Sequence, residues 1–213
     1  MTNRPAFTAI AILILIAGLV GVVFAMAGSH AHHRDAERKQ VPPVDLRAAP
    51  TGLKSVAFQG ILLPSANEGP HSQTGAAVGG FDQSPIGAAL AAIQATVRIS
   101  IATDMQWPIV VQQMVAPGPA RDEWAVARAQ LSITAAISGE APRIIAYRVA
   151  KFANDASDIE IYTRQPDESV TCNTATVIWQ AADWRLRLPD QPHPAPVSEV
   201  LVVPVEAVRI ELK

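Results

Sequence analysis

The most apolar stretch of the chain lies near its amino terminus. Residues 7–28 read FTAIAILILIAGLVGVVFAMAG and contain no charged side chain. As a helix with 1.5 Å rise per residue this run is about 33 Å long, enough to cross a hydrocarbon core of about 30 Å. We therefore predict a short flank over residues 1–6 and a transmembrane helix over residues 7–28. The predicted anchor residues are Phe7, Leu13, Leu15, Leu19, Val23 and Phe24.

A cleaved signal peptide is the alternative interpretation of this run, because Ala25-Met26-Ala27 offers a small-residue cleavage site. The apolar region of a signal peptide normally has about 7–15 residues, so the length favours an anchor. Basic residues after the run, such as Arg34 and Arg38, favour a cytoplasmic carboxyl-terminal side. The length of that side weakens the charge rule, and a lone cysteine suits an oxidising exterior. We favour a single-pass cell-membrane protein whose carboxyl-terminal domain is extracytoplasmic.

Polar residues and prolines dominate residues 29–78, which we predict to be a stalk or linker with one short strand within residues 53–63. His30, His32 and His33 are close enough in sequence to bind a transition metal. No cysteine or carboxylate at structural-zinc spacing completes such a site. We therefore predict no metal and no other cofactor.

A helix start is the main feature of the stretch GGFDQSPIGAALAAIQATVRIS, which begins at Gly79. Ser84 can cap a helix and Pro85 can take its first position. The apolar residues Ile86, Leu90, Ile93, Val97 and Ile101 then recur at helical spacing. Gln94 and Arg98 lie off that apolar face.

A phosphate-binding loop is the alternative interpretation of the two glycines. Such a loop needs a lysine followed by serine or threonine, and no lysine occurs between Lys54 and Lys151. We therefore interpret Gly79 and Gly80 as the end of a linker ahead of the helix. Two further helices are predicted, a short one starting near Pro108 and a longer one over residues 121–139.

The apolar pattern changes to a period of two after residue 142. Strands are predicted over residues 143–152, 158–164, 169–180 and 183–188, separated by turn-like segments. Four strands in meander order predict an antiparallel sheet with one covered face, and the helices supply the cover, which is an α+β architecture. Residues 189–213 form a proline-rich tail whose apolar end we predict to pair with the sheet rather than with a partner.

Candidate chemistry in the predicted domain is sparse. The net charge of −2 provides no basic field for nucleic acid, and the single Cys172 excludes an internal disulfide. No histidine occurs between residues 79 and 188, so a general base would have to come from a carboxylate. Tyr147, on a strand face with Ile145 and Val149, and Asp104 are the candidate pocket residues, and we predict no enzyme.

Cys172 and the arginines of the last predicted strand of the meander are further candidates for chemistry. Cys172 lies mid-strand without a histidine nearby in sequence, so a small strand residue is favoured over a nucleophile. Arg185 and Arg187 share one strand face, where we expect them to be solvated or to pair with Glu160 across the sheet.

Helices followed by a bent antiparallel sheet of long strands are similar to the cone-shaped nuclear-transport-factor-2-like fold. With one membrane helix and a stalk, the chain resembles the bitopic assembly subunit of type IV secretion systems and the TcpC-type conjugation proteins of Gram-positive bacteria. The phrases GFDQSPIGAALAA, VAPGPARDEWAVARAQ and VIWQAADWRLRL resemble a poorly characterised family on conjugative elements of GC-rich bacteria. The resemblance covers residues 79–188 and, by architecture, the anchor.

This resemblance implies a membrane-anchored scaffold subunit of a conjugative DNA-transfer channel. Its expected partners are other envelope subunits and membrane lipid, in an oligomer, without direct nucleic acid binding and without a catalytic motif. TcpC-type proteins can carry two such domains, whereas this chain has room for one. The alternative is an extracytoplasmic small-molecule-binding module or a cone-fold enzyme of the isomerase or dehydratase type.

Overall fold

A computed structural model describes residues 44–189 and 197–212, which belong to one compact unit. The predicted membrane helix with its anchor residues, and the histidines of the predicted stalk, lie outside these residues. Within the described ranges, no helix combines the length and apolar character needed to cross a membrane. The described part is a mixed α+β structure, and the predicted class is confirmed.

The elements follow one another in three groups. Two hairpins come first: β1 (Lys54–Phe58) with β2 (Ile61–Ser65), and β3 (Ser72–Thr74) with β4 (Ala77–Gly79). Three helices follow: α1 (Pro85–Ile101), α2 (Trp107–Met114) and α3 (Pro119–Arg128). The main sheet contains β5 (Arg143–Phe152), β6 (Ala156–Arg164), β7 (Val170–Gln180), β8 (Asp183–Arg187), β9 (Val197–Glu199) and β10 (Val208–Arg209).

The main sheet has the order β10-β5-β6-β7-β8, and every neighbouring pair is antiparallel. The predicted meander of four strands is therefore confirmed. Strand β9 pairs with the start of β7, and β10 pairs with β5. The apolar end of the tail thus returns to the sheet of its own chain.

Part of the predicted linker belongs to the folded unit instead. A hairpin, rather than one short strand, occupies the predicted strand region, and its turn places Gln59 and Gly60 at positive φ. A glycine at the second position of a two-residue turn between alternating apolar residues is a hairpin signal that the sequence analysis missed. Leu63 of β2 and Ala77 of β4 are completely buried, so both hairpins contribute to the core.

The first helix is buried on more sides than its apolar stripe predicts. Its start is confirmed, because the Ser84 hydroxyl accepts a hydrogen bond from the Gly87 amide at 3.0 Å and Pro85 begins the helix. Gln94 and Arg98 lie off the apolar stripe, yet both are buried. The two amino-terminal hairpins cover that side of α1, which explains the difference.

The two glycines of the opening motif lie against a carboxylate. Asp183 accepts hydrogen bonds from the amides of Gly80 at 2.8 Å and Phe81 at 3.0 Å. A Cβ atom at Gly79 would lie 2.7 Å from the same carboxylate. The Trp184 indole also donates to the Asp82 carbonyl at 2.9 Å. These contacts, which we call the clamp, hold the segment before α1 against the start of β8.

The third helix is shorter than predicted and ends at Arg128, not near residue 139. Side-chain contacts replace helical hydrogen bonds beyond that point. The Arg128 guanidinium donates to the carbonyls of Leu131 and Ala102, each at 2.9 Å. Asp104 accepts from the amide of Ile133 at 2.9 Å, while its own amide donates to the Ile133 carbonyl. These bonds hold residues 131–133 in a non-helical conformation against the connection between α1 and α2.

A register shift alters the predicted faces of β5. The pairing of β5 with β6 is irregular between Ile144 and Ala146. As a result Ile144 joins Tyr147 and Val149 in the main core, whereas Ile145 packs in a second cluster on the opposite face of the sheet. The expectation that Ile145 and Tyr147 share a face is wrong, because one extra residue in a strand reverses the alternation.

The clamp around Asp183 generates the first prediction. We expect Asp183→Ala to lower the free energy of unfolding by about 2–3 kcal/mol, because buried amides lose a charged acceptor. Gly79→Ala should cost about 1–3 kcal/mol through the enforced close contact. Urea unfolding of the full-length chain in detergent measures both changes. Asp155→Ala, at the exposed tip of the neighbouring hairpin, is the control, and equal midpoints for Asp183→Ala and Asp155→Ala would contradict the clamp.

Candidate functional site

Tyr147 of the predicted pocket lies in the main core and is completely buried. Its hydroxyl donates a hydrogen bond to the Ala48 carbonyl at 3.3 Å, in the segment before β1. Burial raises the pKa of the Tyr147 hydroxyl above its ordinary value, and the negative charge of Glu68 adds to this effect. The residue therefore joins the segment before β1 to the sheet, and within the described residues its hydroxyl bonds a backbone carbonyl rather than a carboxylate.

Asp104, the second predicted pocket residue, lies in the connection between α1 and α2. Its carboxylate accepts hydrogen bonds from the Ile133 amide and the Ser132 hydroxyl, and it pairs with Arg128 at 3.1 Å. These contacts, the Ile133 amide first, hold the pKa of Asp104 below its ordinary value. Asp104 and Tyr147 share no partner, so the structure does not assemble the predicted pair into one site.

A charged network crosses the outer face of the sheet, the face opposite the helices. Arg148 of β5 lies directly across from Glu160 of β6, and its Nε donates to a Glu160 oxygen at 2.7 Å. A second guanidinium nitrogen of Arg148 and the hydroxyl of Tyr162 also donate to Glu160. Arg185 and Arg187 were expected either to be solvated or to pair with Glu160. The pairing is not found among the described residues, where Glu160 pairs with Arg148 and Arg185 donates to the Gln112 carbonyl at 3.2 Å.

Hydrogen bonds within the network, together with burial, shift the pKa values of its three members. The bonds from Arg148 hold the pKa of Glu160 below its ordinary value, with Tyr162 as a smaller cause. The bond to Glu160 raises the pKa of Arg148. Burial, and then the bond to Glu160, raise the pKa of Tyr162. The three side chains therefore form a fixed ion pair with an attached neutral phenol, which is a structural arrangement rather than an acid–base pair.

The carboxyl-terminal segment packs onto this network through a small apolar cluster. Val203 and Ala207 are buried against Tyr162, Cys172 and Ala146. Three other large apolar side chains of the same segment face solvent, whereas Val200 is partly buried against the cluster. Leu201 is 98% exposed, Val202 is 76% exposed and Val205 is 92% exposed. We call residues 200–207 the carboxyl-terminal loop, and it is the most exposed apolar feature on the outer face.

Cys172 lies in β7 directly across from Tyr162, as a buried free cysteine. Burial raises the pKa of its thiol, and the charge of Glu160 adds to this effect. A raised pKa and burial both oppose thiolate formation. The interpretation of Cys172 as a small strand residue is therefore favoured by its surroundings.

A groove of about 620 Å³ opens at one end of the main sheet. It lies between the turn at Gly60, residues 139–145 and the chain end at residues 210–212. Arg143 and Arg164 line it, and both also pair with Glu168, at 3.5 and 3.0 Å. The groove carries charges of both signs and no general base held by a second group, so its geometry does not specify a reaction.

The network on the outer face predicts a defined response to pH. Because the pKa of Glu160 is lowered in the folded state, its ion pair contributes fully to the free energy of unfolding at pH values above the ordinary pKa of glutamate. It is lost as the pH falls through the lower pKa of the folded state. We expect Glu160→Gln to destabilise the chain by about 1–2 kcal/mol at pH 7 and by less at pH 3.

Urea midpoints of the full-length chain in detergent, measured between pH 3 and pH 7, test this expectation. Glu168→Gln removes an exposed carboxylate that also contacts arginines, and it is the matched control with an effect below about 0.5 kcal/mol. If Glu160→Gln lowers the free energy of unfolding by the same amount at pH 7 and at pH 3, the ion pair is not the source of that loss.

The chain matches one family model. The model is described as a domain of unknown function, DUF8175, and it matches residues 24–201. Neither the curated proteins nor the solved structures contain a match to this chain. The matched range covers the described strands and helices from β1 to β9. Because the match extends over most of its length, the chain belongs to the DUF8175 family.

Proposed function

We propose that this protein is a membrane-anchored, non-catalytic scaffold subunit that acts through protein–protein contacts. The observation that carries the proposal is the carboxyl-terminal loop, which presents Leu201, Val202 and Val205 to solvent while Val203 holds it on the sheet. An apolar cluster fixed on an ordered surface is typical of an interaction site. Each such side chain contributes about 1.5–3 kcal/mol when a partner covers it completely.

The filled interior supports a scaffold over an enzyme. Side chains of α1 and of the central strands, including Leu90, Ile93, Ile159 and Val177, are completely buried between the helix and the sheet. The groove of about 620 Å³ lies at the sheet end and receives no residue from α1. A cone-fold enzyme would need a polar cavity with an acid or base between these layers. Tyr147 and Asp104, the candidates for that role, have separate structural partners.

The proposed membrane anchor and the proposed transfer apparatus are both based on the sequence. The uncharged run over residues 7–28 is long enough for an anchor, with the folded unit on the extracytoplasmic side. The resemblance to type IV secretion and TcpC-type proteins supplies the proposed setting, an envelope channel for conjugative DNA transfer. Helices on one face of an antiparallel meander are compatible with the cone-shaped nuclear-transport-factor-2-like fold that this resemblance implies. In this setting the loop would bind other envelope subunits or a second copy.

Site-specific photo-cross-linking in intact donor cells tests the contact surface. A photoreactive amino acid at Leu201 or Val205 should give cross-linked bands containing envelope subunits of the transfer apparatus. The same amino acid at Met105, which is 90% exposed on the helix side of the sheet, is the matched control and should give fewer such bands.

A functional measurement accompanies the cross-linking. Leu201→Asp should reduce conjugation frequency by about tenfold or more if the loop contributes its full apolar contact, whereas Met105→Asp should have little effect. Both variants should reach normal levels in the membrane, because both sites are exposed. Cross-links only to wall-metabolism enzymes, or normal transfer by Leu201→Asp, would count against the proposal.

A further inference from the structure

The guanidinium of Arg98 is buried among neutral groups of the described residues. Arg98, near the end of α1, is 2% exposed. Its Nε donates to the Gln94 side-chain oxygen at 2.8 Å, and its Nη1 donates to the Ala76 carbonyl at 2.6 Å. The guanidinium also lies over the Phe58 ring, 4.3 Å from its centroid. All three partners are electrically neutral.

The charge of Arg98 has no counter-ion in the described part of the chain. Among residues 44–189 and 197–212, no aspartate or glutamate oxygen lies within 4 Å of its guanidinium. Burial lowers the pKa of Arg98 to about 10, so the group still carries its charge at neutral pH. A buried charge without a partner is strongly unfavourable, and proteins normally compensate for it.

A pocket leads from solvent to this guanidinium. It has a volume of about 190 Å³, and its floor includes Gln94 and Arg98. Gln94 is fully buried and is held by a bond from its amide to the Pro64 carbonyl at 2.8 Å. The pocket is also lined by Val56, Ser65, Pro70, His71, Ser72, Gln73 and the buried Val78. The pocket thus combines one buried cation with hydroxyl, amide and apolar groups.

We infer that this pocket binds a small organic monocarboxylate, with the carboxylate on the Arg98 guanidinium and the carbon chain against Val56, Pro70 and Val78. Arginine presents a planar fork that matches a carboxylate in two hydrogen bonds. A single cation balances a single negative charge, whereas phosphate carries about 1.5–2 negative charges at pH 7. The volume is below the range of about 300–1,000 Å³ for drug-sized ligands, so an acid of few carbon atoms is the class that fits.

This inference does not depend on the proposed scaffold function. The pocket lies among the hairpins and α1, whereas the carboxyl-terminal loop lies on the outer face of the sheet. Loss of one activity should therefore leave the other intact. Leu201→Asp should still bind carboxylate, and pocket variants should still give the loop cross-links.

A substitution at the mouth of the pocket tests the inference. Val56 is 43% exposed and shares a strand face with Phe58, over which Arg98 lies. Val56→Glu places a carboxylate inside the same pocket, where it should neutralise Arg98 and exclude an added acid. Val56→Gln has nearly the same size without the charge and is the matched control. Arg98→Lys keeps a cation but removes the planar fork.

Binding is measured on the full-length chain in detergent with ¹³C-labelled sodium propionate by NMR line broadening. Thermal unfolding in propionate, phosphate or chloride at equal ionic strength accompanies it. We expect propionate, but not phosphate or chloride, to raise the unfolding midpoint of the wild type, and we expect Val56→Gln to keep more of the propionate affinity than Val56→Glu. The affinity of Val56→Glu and Arg98→Lys should fall by about tenfold or more. Val56→Glu should also unfold at a higher temperature than Val56→Gln when no propionate is present.

Three results would overturn the inference. Equal midpoint shifts in propionate and chloride would show a general salt effect. Stabilisation by phosphate without stabilisation by propionate would assign the pocket to a different anion. Equal propionate affinity for Val56→Glu and Val56→Gln would place the binding elsewhere on the chain.

Discussion

The architecture depends on the burial of helix α1 from several directions. The sheet covers one side, α2 another, and the two amino-terminal hairpins cover the side that carries Gln94 and Arg98. Small residues make this approach feasible, and Ala88, Ala89 and Ala92 are completely buried. At Gly87 a Cβ atom would lie 2.1 Å from the Asp82 carbonyl oxygen, so the chain passes too close for a larger residue. The elements before and after α1 are thus built around one helix.

The two faces of the main sheet have different properties because they meet different surroundings. The inner face packs aliphatic side chains against α1, and the space between them is filled. The outer face carries the ion pair of Arg148 and Glu160, with Tyr162 joining it to the carboxyl-terminal loop. Contacts with other proteins are therefore proposed for the outer face, whereas binding of a small acid is proposed among the hairpins.

Two buried arginines show how differently the fold compensates a charge. Arg128 is 4% exposed and meets the carboxylate of Asp104 at 3.1 Å, together with two backbone carbonyls. Arg98 is equally buried but meets only neutral groups within the described residues. Arg128 has a counter-ion on its own chain and organises the segment after α3. Arg98 instead faces a pocket that is open to solvent. We therefore assign a structural role to Arg128 and a binding role to Arg98.

Local patterns in the sequence were sufficient to predict much of the fold. The cap at Ser84, the strands of the meander and the α+β class depend on neighbouring residues and on periodicity, and the structure confirms them. The limits of α3 and the face of Ile145 were predicted wrongly, because distant hydrogen bonds and a register shift decide them. The apolar run over residues 7–28 predicts an anchor from length alone, and that prediction stands on the sequence.

The candidate sites could be identified almost entirely from the tertiary structure and not from the sequence. Helical spacing places Arg98 off the apolar stripe and gives no indication that its side chain is buried. Only the packing of two hairpins, which the sequence analysis took for linker, converts that residue into a buried cation at the floor of a pocket. The exposed loop at Leu201 likewise requires the return of the tail to the sheet. Sequence periodicity reports which residues share one element, whereas burial and charge pairing depend on which other elements cover it.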